Sequence, residues 1–177
     1  MTPPLVVHFI LFFFLFFFFF FFFFLLPGSQ SIDILQAIPS PSPLRLANAL
    51  NTQGDALLAM GRVEEALPVL RQAQAIRNDM LQPDHPDHAE VATSLGRALP
   101  AADGVPLLRK ALEIREHKLG PEHPLVCETC VYLGERLTEQ QAWQEALTLC
   151  RRGQGPRAFA RTQRHARQLL ERIEQHL

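Results

Sequence analysis

The sequence contains no lysine or arginine before Arg45, and over 177 residues it has three cysteines, one tryptophan and one tyrosine. Three cysteines are too few for the disulfide framework of a small secreted scaffold, and an odd number fits a reducing compartment. Also missing are the phosphate loop G-x-x-x-x-G-K-S/T, the dinucleotide fingerprint G-x-G-x-x-G and the nucleophile elbow G-x-S-x-G. Nucleotide binding and serine hydrolysis therefore lose their usual sequence support, and no enzymatic activity or cofactor is expected. The formal charge of -1 conceals an asymmetry. Residues 1–150 hold 10 Lys and Arg against 16 acids, whereas residues 151–177 hold 7 Arg against 2 acids. The basic tail has no interleaved aromatic beyond Phe159, so it reads as a solvated face, and no nucleic-acid partner is expected.

What is present begins with an extreme. Residues 5–26, LVVHFILFFFLFFFFFFFFFLL, contain 13 of the 14 phenylalanines and no charged side chain. As a helix, with about 1.5 Å of rise per residue, this tract would cross a bilayer core of roughly 30 Å. It is longer than a typical signal-peptide core and has no basic residue in front, which favours an anchor over a cleaved signal. The composition has a second reading. Phe codons are TTT and TTC, and the Leu, Ile and Val interruptions lie one base away, so a T-rich DNA tract translated by a wrong gene model has this appearance. Both readings of residues 1–26 stay open. Residues 27–43, with Pro27-Gly28-Ser29 and Pro39-Ser40-Pro41-Ser42-Pro43, read as a linker.

The rest of the chain repeats itself. LQPDHP at 81–86 returns as LGPEHP at 119–124. At that offset of 38, Pro68, Leu70, Arg71, Ala73, Ile76 and Arg77 fall on Pro106, Leu108, Arg109, Ala111, Ile114 and Arg115, and Leu95, Gly96 and Leu99 fall on Leu133, Gly134 and Leu137. Upstream the offset is 42, carrying Gly54 and Leu57 onto Gly96 and Leu99, so the middle unit has lost four residues between Leu99 and Gly104. Each unit reads as two helices. The first carries a small residue, Gly54, Gly96 or Gly134, with apolar partners four before and three after; these share a helical face, and the glycine admits a close neighbour. The second has a buried stripe of Ala66, Leu70, Ala73 and Ile76. A period near 40 of this kind marks a helical-repeat array. The third unit decays after Leu147, where Cys150 replaces the leucine and Gly153-Gln154-Gly155-Pro156 breaks the helix. The segment 154–177 then reads as an Arg-rich capping helix started by Pro156, with Phe159, Ala166, Leu169, Leu170, Ile173 and Leu177 as its apolar stripe.

Two clusters invite chemistry. Asp84, His85, Asp87 and His88 have metal-ligand character, but His85 and His123 recur as loop residues just ahead of Pro86 and Pro124, which open the next helices; no metal site is assigned. Cys127-x-x-Cys130 resembles a redox or zinc motif. Its residues align with Ala89 and Ala92, so they read as small core groups.

The stretches GRVEEALPVLRQAQAI…LQPDHPDHAEVATSLGRAL and VPLLRKALEIREHKLGPEHPLVCETCVYLGERL resemble tetratricopeptide repeats of the 42-residue kind found in kinesin light chains, over about residues 44–153. The resemblance implies an all-α, short right-handed helical-repeat solenoid, capped by the C-terminal helix and preceded by the apolar tract. It also implies a non-enzymatic interaction module that takes an extended peptide or partner helix in a concave groove lined by first helices. In that family Asn side chains on the groove face hold the peptide backbone. Asn51 stands at one such position, with Thr93 and Val131 at the matching ones. The expected groove residues are Asn48, Asn51, Thr93, Arg97, Tyr132 and Arg136, and the two arginines favour an acidic peptide. The repeats are expected in the cytoplasm. The competing readings are an adaptor tethered to a membrane through residues 5–26 and a degenerate fragment of a longer repeat protein.

Overall fold

The structure is a computed structural model that describes residues 42–176. The apolar tract, most of the linker and Leu177 lie outside the described residues, as does the membrane-anchor reading of residues 5–26. Among the described residues no helix is long and apolar enough to cross a membrane.

Among the described residues seven helices follow one another: α1 Pro43–Ala59, α2 Val63–Met80, α3 Pro86–Ala98, α4 Ala101–Leu119, α5 Pro124–Glu139, α6 Trp143–Gly153 and α7 Ala160–Glu174. The first six form three antiparallel hairpins, α1–α2, α3–α4 and α5–α6, and each hairpin packs against the next. First helices touch first helices along the array, α1 with α3 and α3 with α5.

The glycines of the first helices fix how closely each hairpin closes. A Cβ on Gly54 would overlap the side chain of Leu70, one on Gly96 would lie 2.5 Å from Leu108 Cγ, and one on Gly134 would lie 2.7 Å from Cys150 Sγ. The same helix-two position therefore sits over the same helix-one glycine in all three units. Around these contacts the core is continuous at each end. Leu50, Leu57 and Leu70 anchor the first unit, packed with Leu95 of α3. Val126, Leu133, Leu137 and Leu149 anchor the third, together with Leu169 and Ile173 of α7.

The repeated hexapeptides build the same structure twice. The amide of His85 donates to the carbonyl of Gln82 at 3.0 Å, and that of His123 to Gly120 at 3.2 Å. Each imidazole Nδ1 then accepts from the backbone two residues on, His85 from Asp87 N and His123 from Leu125 N, both at 3.2 Å. Both histidines are thus N-caps, and Pro86 and Pro124 occupy the first helical position, where a missing N–H leaves nothing unpaired.

The four-residue loss shortens α3 to 13 residues, against 17 in α1 and 16 in α5, and leaves only Leu99 and Pro100 between α3 and α4. Gly104 lies in the first turn of α4, against the backbone of Gly96. At the two longer corners, Gly61 and Gln141 adopt left-handed backbone with φ of 74° and 60°.

Two expectations need correction. Ile76 is only half-buried, and the fully buried residue beside it is Arg77, whose guanidinium finds internal partners. Helix α7 starts at Ala160, after a turn containing Pro156, and Phe159 is exposed. Its buried stripe is Thr162, Ala166, Leu169 and Ile173. Finally, α7 contacts both α6 and α5. It thereby occupies the place that the first helix of a fourth unit would take, and it both covers the stack and adds a wall to the first-helix face.

Candidate functional site

Along the first-helix face runs an open groove of about 300 Å³, built from α1, α3 and α5, with contributions from Arg115 of α4 and Arg161 of α7. Thr93, Ser94 and Arg97 come from α3, Glu128 and Tyr132 from α5, and Asp55 from α1. On each helix these residues are separated by three or four positions or are adjacent, which keeps them on one face.

The charges in the groove are organised in pairs. Arg97 reaches Asp55 at 3.4 Å and lies with its guanidinium carbon 4.4 Å from the centre of the Tyr132 ring, joining α1, α3 and α5. Ser94 donates to the same Asp55 oxygen at 2.7 Å. Arg161 bridges from α7 to Glu128 of α5 at 2.8 Å. Burial pushes the Tyr132 phenol above its ordinary range, which keeps it a neutral donor.

Arg77 and Arg115 occupy the same place in successive repeats, each rising from a second helix to the first-helix layer. Arg77 is completely enclosed. It donates to Asn48 Oδ1 at 2.9 Å, Asn51 Oδ1 at 3.4 Å, the Asp87 carbonyl at 2.9 Å and Glu90 at 2.6 Å. Arg115 donates to the Leu125 carbonyl at 3.1 Å and to Thr129 Oγ1 at 2.6 Å. No carboxylate hydrogen-bonds to it among the described residues. Glu90 already serves Arg77, the Thr93 hydroxyl is held by the Ala89 carbonyl at 2.7 Å, and Glu128 serves Arg161. Burial, the largest influence on Arg115, lowers its pKa from the usual arginine range.

The expected site residues separate accordingly. Thr93, Arg97 and Tyr132 line the groove. Asn51 is buried and bonded to Arg77 and to Asp55, so it supports the groove from beneath. Asn48 is exposed and accepts from Arg77, while Arg136 pairs with Glu139 at 2.9 Å; neither lines the groove. Val131, at the third matching position, is buried. Arg115 and Arg161 were missed. Arg115 could have been found from its recurrence with Arg77 at an offset of 38, immediately after the stripe residue Ile76 or Ile114.

The metal-like and redox-like motifs have structural roles. His85 caps a helix, and among the described residues no group of three or more His, Cys, Asp or Glu could hold a metal ion. Cys127, Cys130 and Cys150 are free and buried, and burial pushes the Cys130 thiol up to about 11 and that of Cys150 up to about 12. Such thiols behave as small apolar groups.

Tetratricopeptide-repeat family models match residues 45–104 and 102–125. No curated protein matches the sequence. Among solved structures, the chain is similar to a Podosopora anserina protein assigned as a kinesin light chain with nearly identical TPR-like repeats, at 23% identity and a TM-score of 0.64, covering 83% of this chain and 74% of that one. A point variant of that protein is similar at 23% identity and a TM-score of 0.61, covering 83% of this chain and 82% of that one. The fold is thus a TPR-like helical-repeat array.

Proposed function

From residues 45–125 being tetratricopeptide repeats, a scaffold type that mediates protein–protein interaction, we propose that this chain is a non-enzymatic module that binds an extended peptide of its partner along the first-helix groove, with one acidic side chain of that peptide seated over Arg115. The observation that carries this reading is the contrast between the two repeated arginines. Arg77 is paired with the Glu90 carboxylate and bonded to Asn48, Asn51 and the Asp87 carbonyl, with its Nε left unpartnered among the described residues; Arg115 lines an open groove and, among the described residues, bonds to a carbonyl and a hydroxyl and to no carboxylate. A desolvated guanidinium with donors to spare favours a carboxylate, because charge-assisted bonds are strongest where water is partly excluded. Tyr132 and Arg97 offer flat surfaces for the neighbouring peptide residues. The other groove charges already neutralise one another, so a peptide with one or two acids suits the surface better than a polyacidic one.

The test is an array of peptides scanned with the full-length protein. Acidic peptides that bind the wild type should lose at least about tenfold in affinity against Arg115→Met and against Tyr132→Ala, with the remaining binding weakened by salt. Partners retained equally by both variants would place the interaction elsewhere, with the exposed arginine face of α7 the next surface to probe.

A further inference from the structure

Beside the main groove, at the seam of α5 and α7, lies a smaller cavity of about 130 Å³ lined by Glu128, Val131, Tyr132, Arg161, Thr162 and His165. It shares Glu128, Tyr132 and Arg161 with the groove, so the two are neighbouring compartments of one surface. Thr162 is only 4% exposed, and among the described residues its hydroxyl has no hydrogen-bond partner. A buried hydroxyl left without a partner is destabilising, and such groups in native folds call for an explanation. The cavity is far larger than a single water requires.

We propose that this cavity is a subsite for a neutral side-chain carboxamide, the Asn or Gln of a bound peptide, with Thr162 as its recognition residue. The lining selects the ligand by exclusion. Glu128 and Arg161 are paired with each other, so the lining offers no free charge to hold an anion or a cation, and the unpaired hydroxyl disfavours an apolar group. A carboxamide supplies both a carbonyl acceptor and an N–H₂ donor. Thr162 and the Tyr132 hydroxyl can donate to the first, and Glu128 can accept from the second. Val131 provides the apolar side against which the amide plane rests. The subsite exists because α7 takes a first-helix place: an array ending at α6 would have no wall here. The peptide source of the amide rests on the groove reading above, whereas the cavity's preference for an amide does not.

The probe is acetamide, titrated into the full-length protein while the methyl resonances of Val131 and Thr162 are followed by NMR, with acetate and guanidinium as comparisons. The expected result is a saturable shift of both methyls with acetamide, and a much weaker response to either ion. Thr162→Val keeps the shape but removes the hydroxyl, and should weaken acetamide binding, read at Val131, about tenfold, corresponding to one hydrogen bond. Thr162→Ser should retain it. An unchanged affinity in Thr162→Val, an equal response to acetate or guanidinium, or no shift at all would overturn the proposal. Acetamide binding in a protein that captures no peptide would sink the groove reading while leaving the subsite intact.

Discussion

Arg77 and Arg115 stand at one position of two successive repeats, yet among the described residues Arg77 is tied to Asn48, Asn51, Asp87 and Glu90 while Arg115 is tied only to Leu125 and Thr129. The same residue type in the same place is thus a structural fastener in one repeat and a groove residue in the next. Replacing each by methionine should separate the two roles. Arg77→Met strips four acceptors of their donor, one of them a carboxylate, and should destabilise the fold by about 3 kcal/mol in urea denaturation. Arg115→Met should lower stability by about 1 kcal/mol or less. Equal losses would show that the two sites are equivalent.

The His85 and His123 caps can be tested individually. Each imidazole satisfies one amide at the start of α3 or α5. His85→Ala and His123→Ala should each lower stability by about 1 kcal/mol, with Asn substitutes restoring most of the loss. A chelator should leave the melting temperature unchanged. Sensitivity to chelation at neutral pH would revive the metal reading.

Two backbone positions should respond with opposite signs. Gly96→Ala places a Cβ 2.5 Å from Leu108 Cγ and 3.1 Å from the Gly104 carbonyl oxygen, which forces the α3–α4 hairpin apart. A loss of about 1–3 kcal/mol is expected. Gln141 holds a left-handed φ of 60° at the corner where the first unit has Gly61. Gln141→Gly should raise stability by up to about 1 kcal/mol, measured as a higher denaturation midpoint.

The buried thiols set an alkaline limit. From the ordinary value of 9.0, burial raises Cys130 to about 11 and Cys150 to about 12, so both stay protonated in the fold above the pH at which they ionise in the unfolded chain. The unfolded state then binds fewer protons, and stability is full below about pH 9 and declines as pH rises toward 11 to 12. Denaturation curves of Cys130→Ala together with Cys150→Ala should show a lower plateau at neutral pH and a shallower alkaline decline. A parallel decline in both proteins would remove the thiols as its cause.

The array was readable because repetition exposes itself. Leu70 over Gly54 and Leu108 over Gly96 recur in sequence before they recur in space. The groove was less readable for a physical reason. Sequence patterning assigns buried stripes to apolar residues, so Arg77 and Arg115, charged and buried, were passed over in favour of Ile76. Asn51 lies on the right helix and face, but only a structure shows that Arg77 has already claimed its oxygen. Helix α7 offers a similar lesson. Its apolar spacing identified a docking helix, whereas its place beside α5, and with it the role of Thr162, depends on tertiary packing that periodicity does not encode.

The two-residue corner of Leu99 and Pro100 also has a kinetic consequence. Closing a loop costs entropy that grows with its length, so the α3–α4 hairpin closes across the shortest hairpin corner among the described residues, and Pro100 further narrows the conformations to be searched. In a linear array that can nucleate at any unit, order should begin where closure is cheapest and spread to neighbours that gain a template. The central hairpin, shortened by four residues, is then the seed from which α1–α2 grows on one side and α5, α6 and α7 on the other. The deletion that makes this repeat irregular would give the chain a preferred place to start.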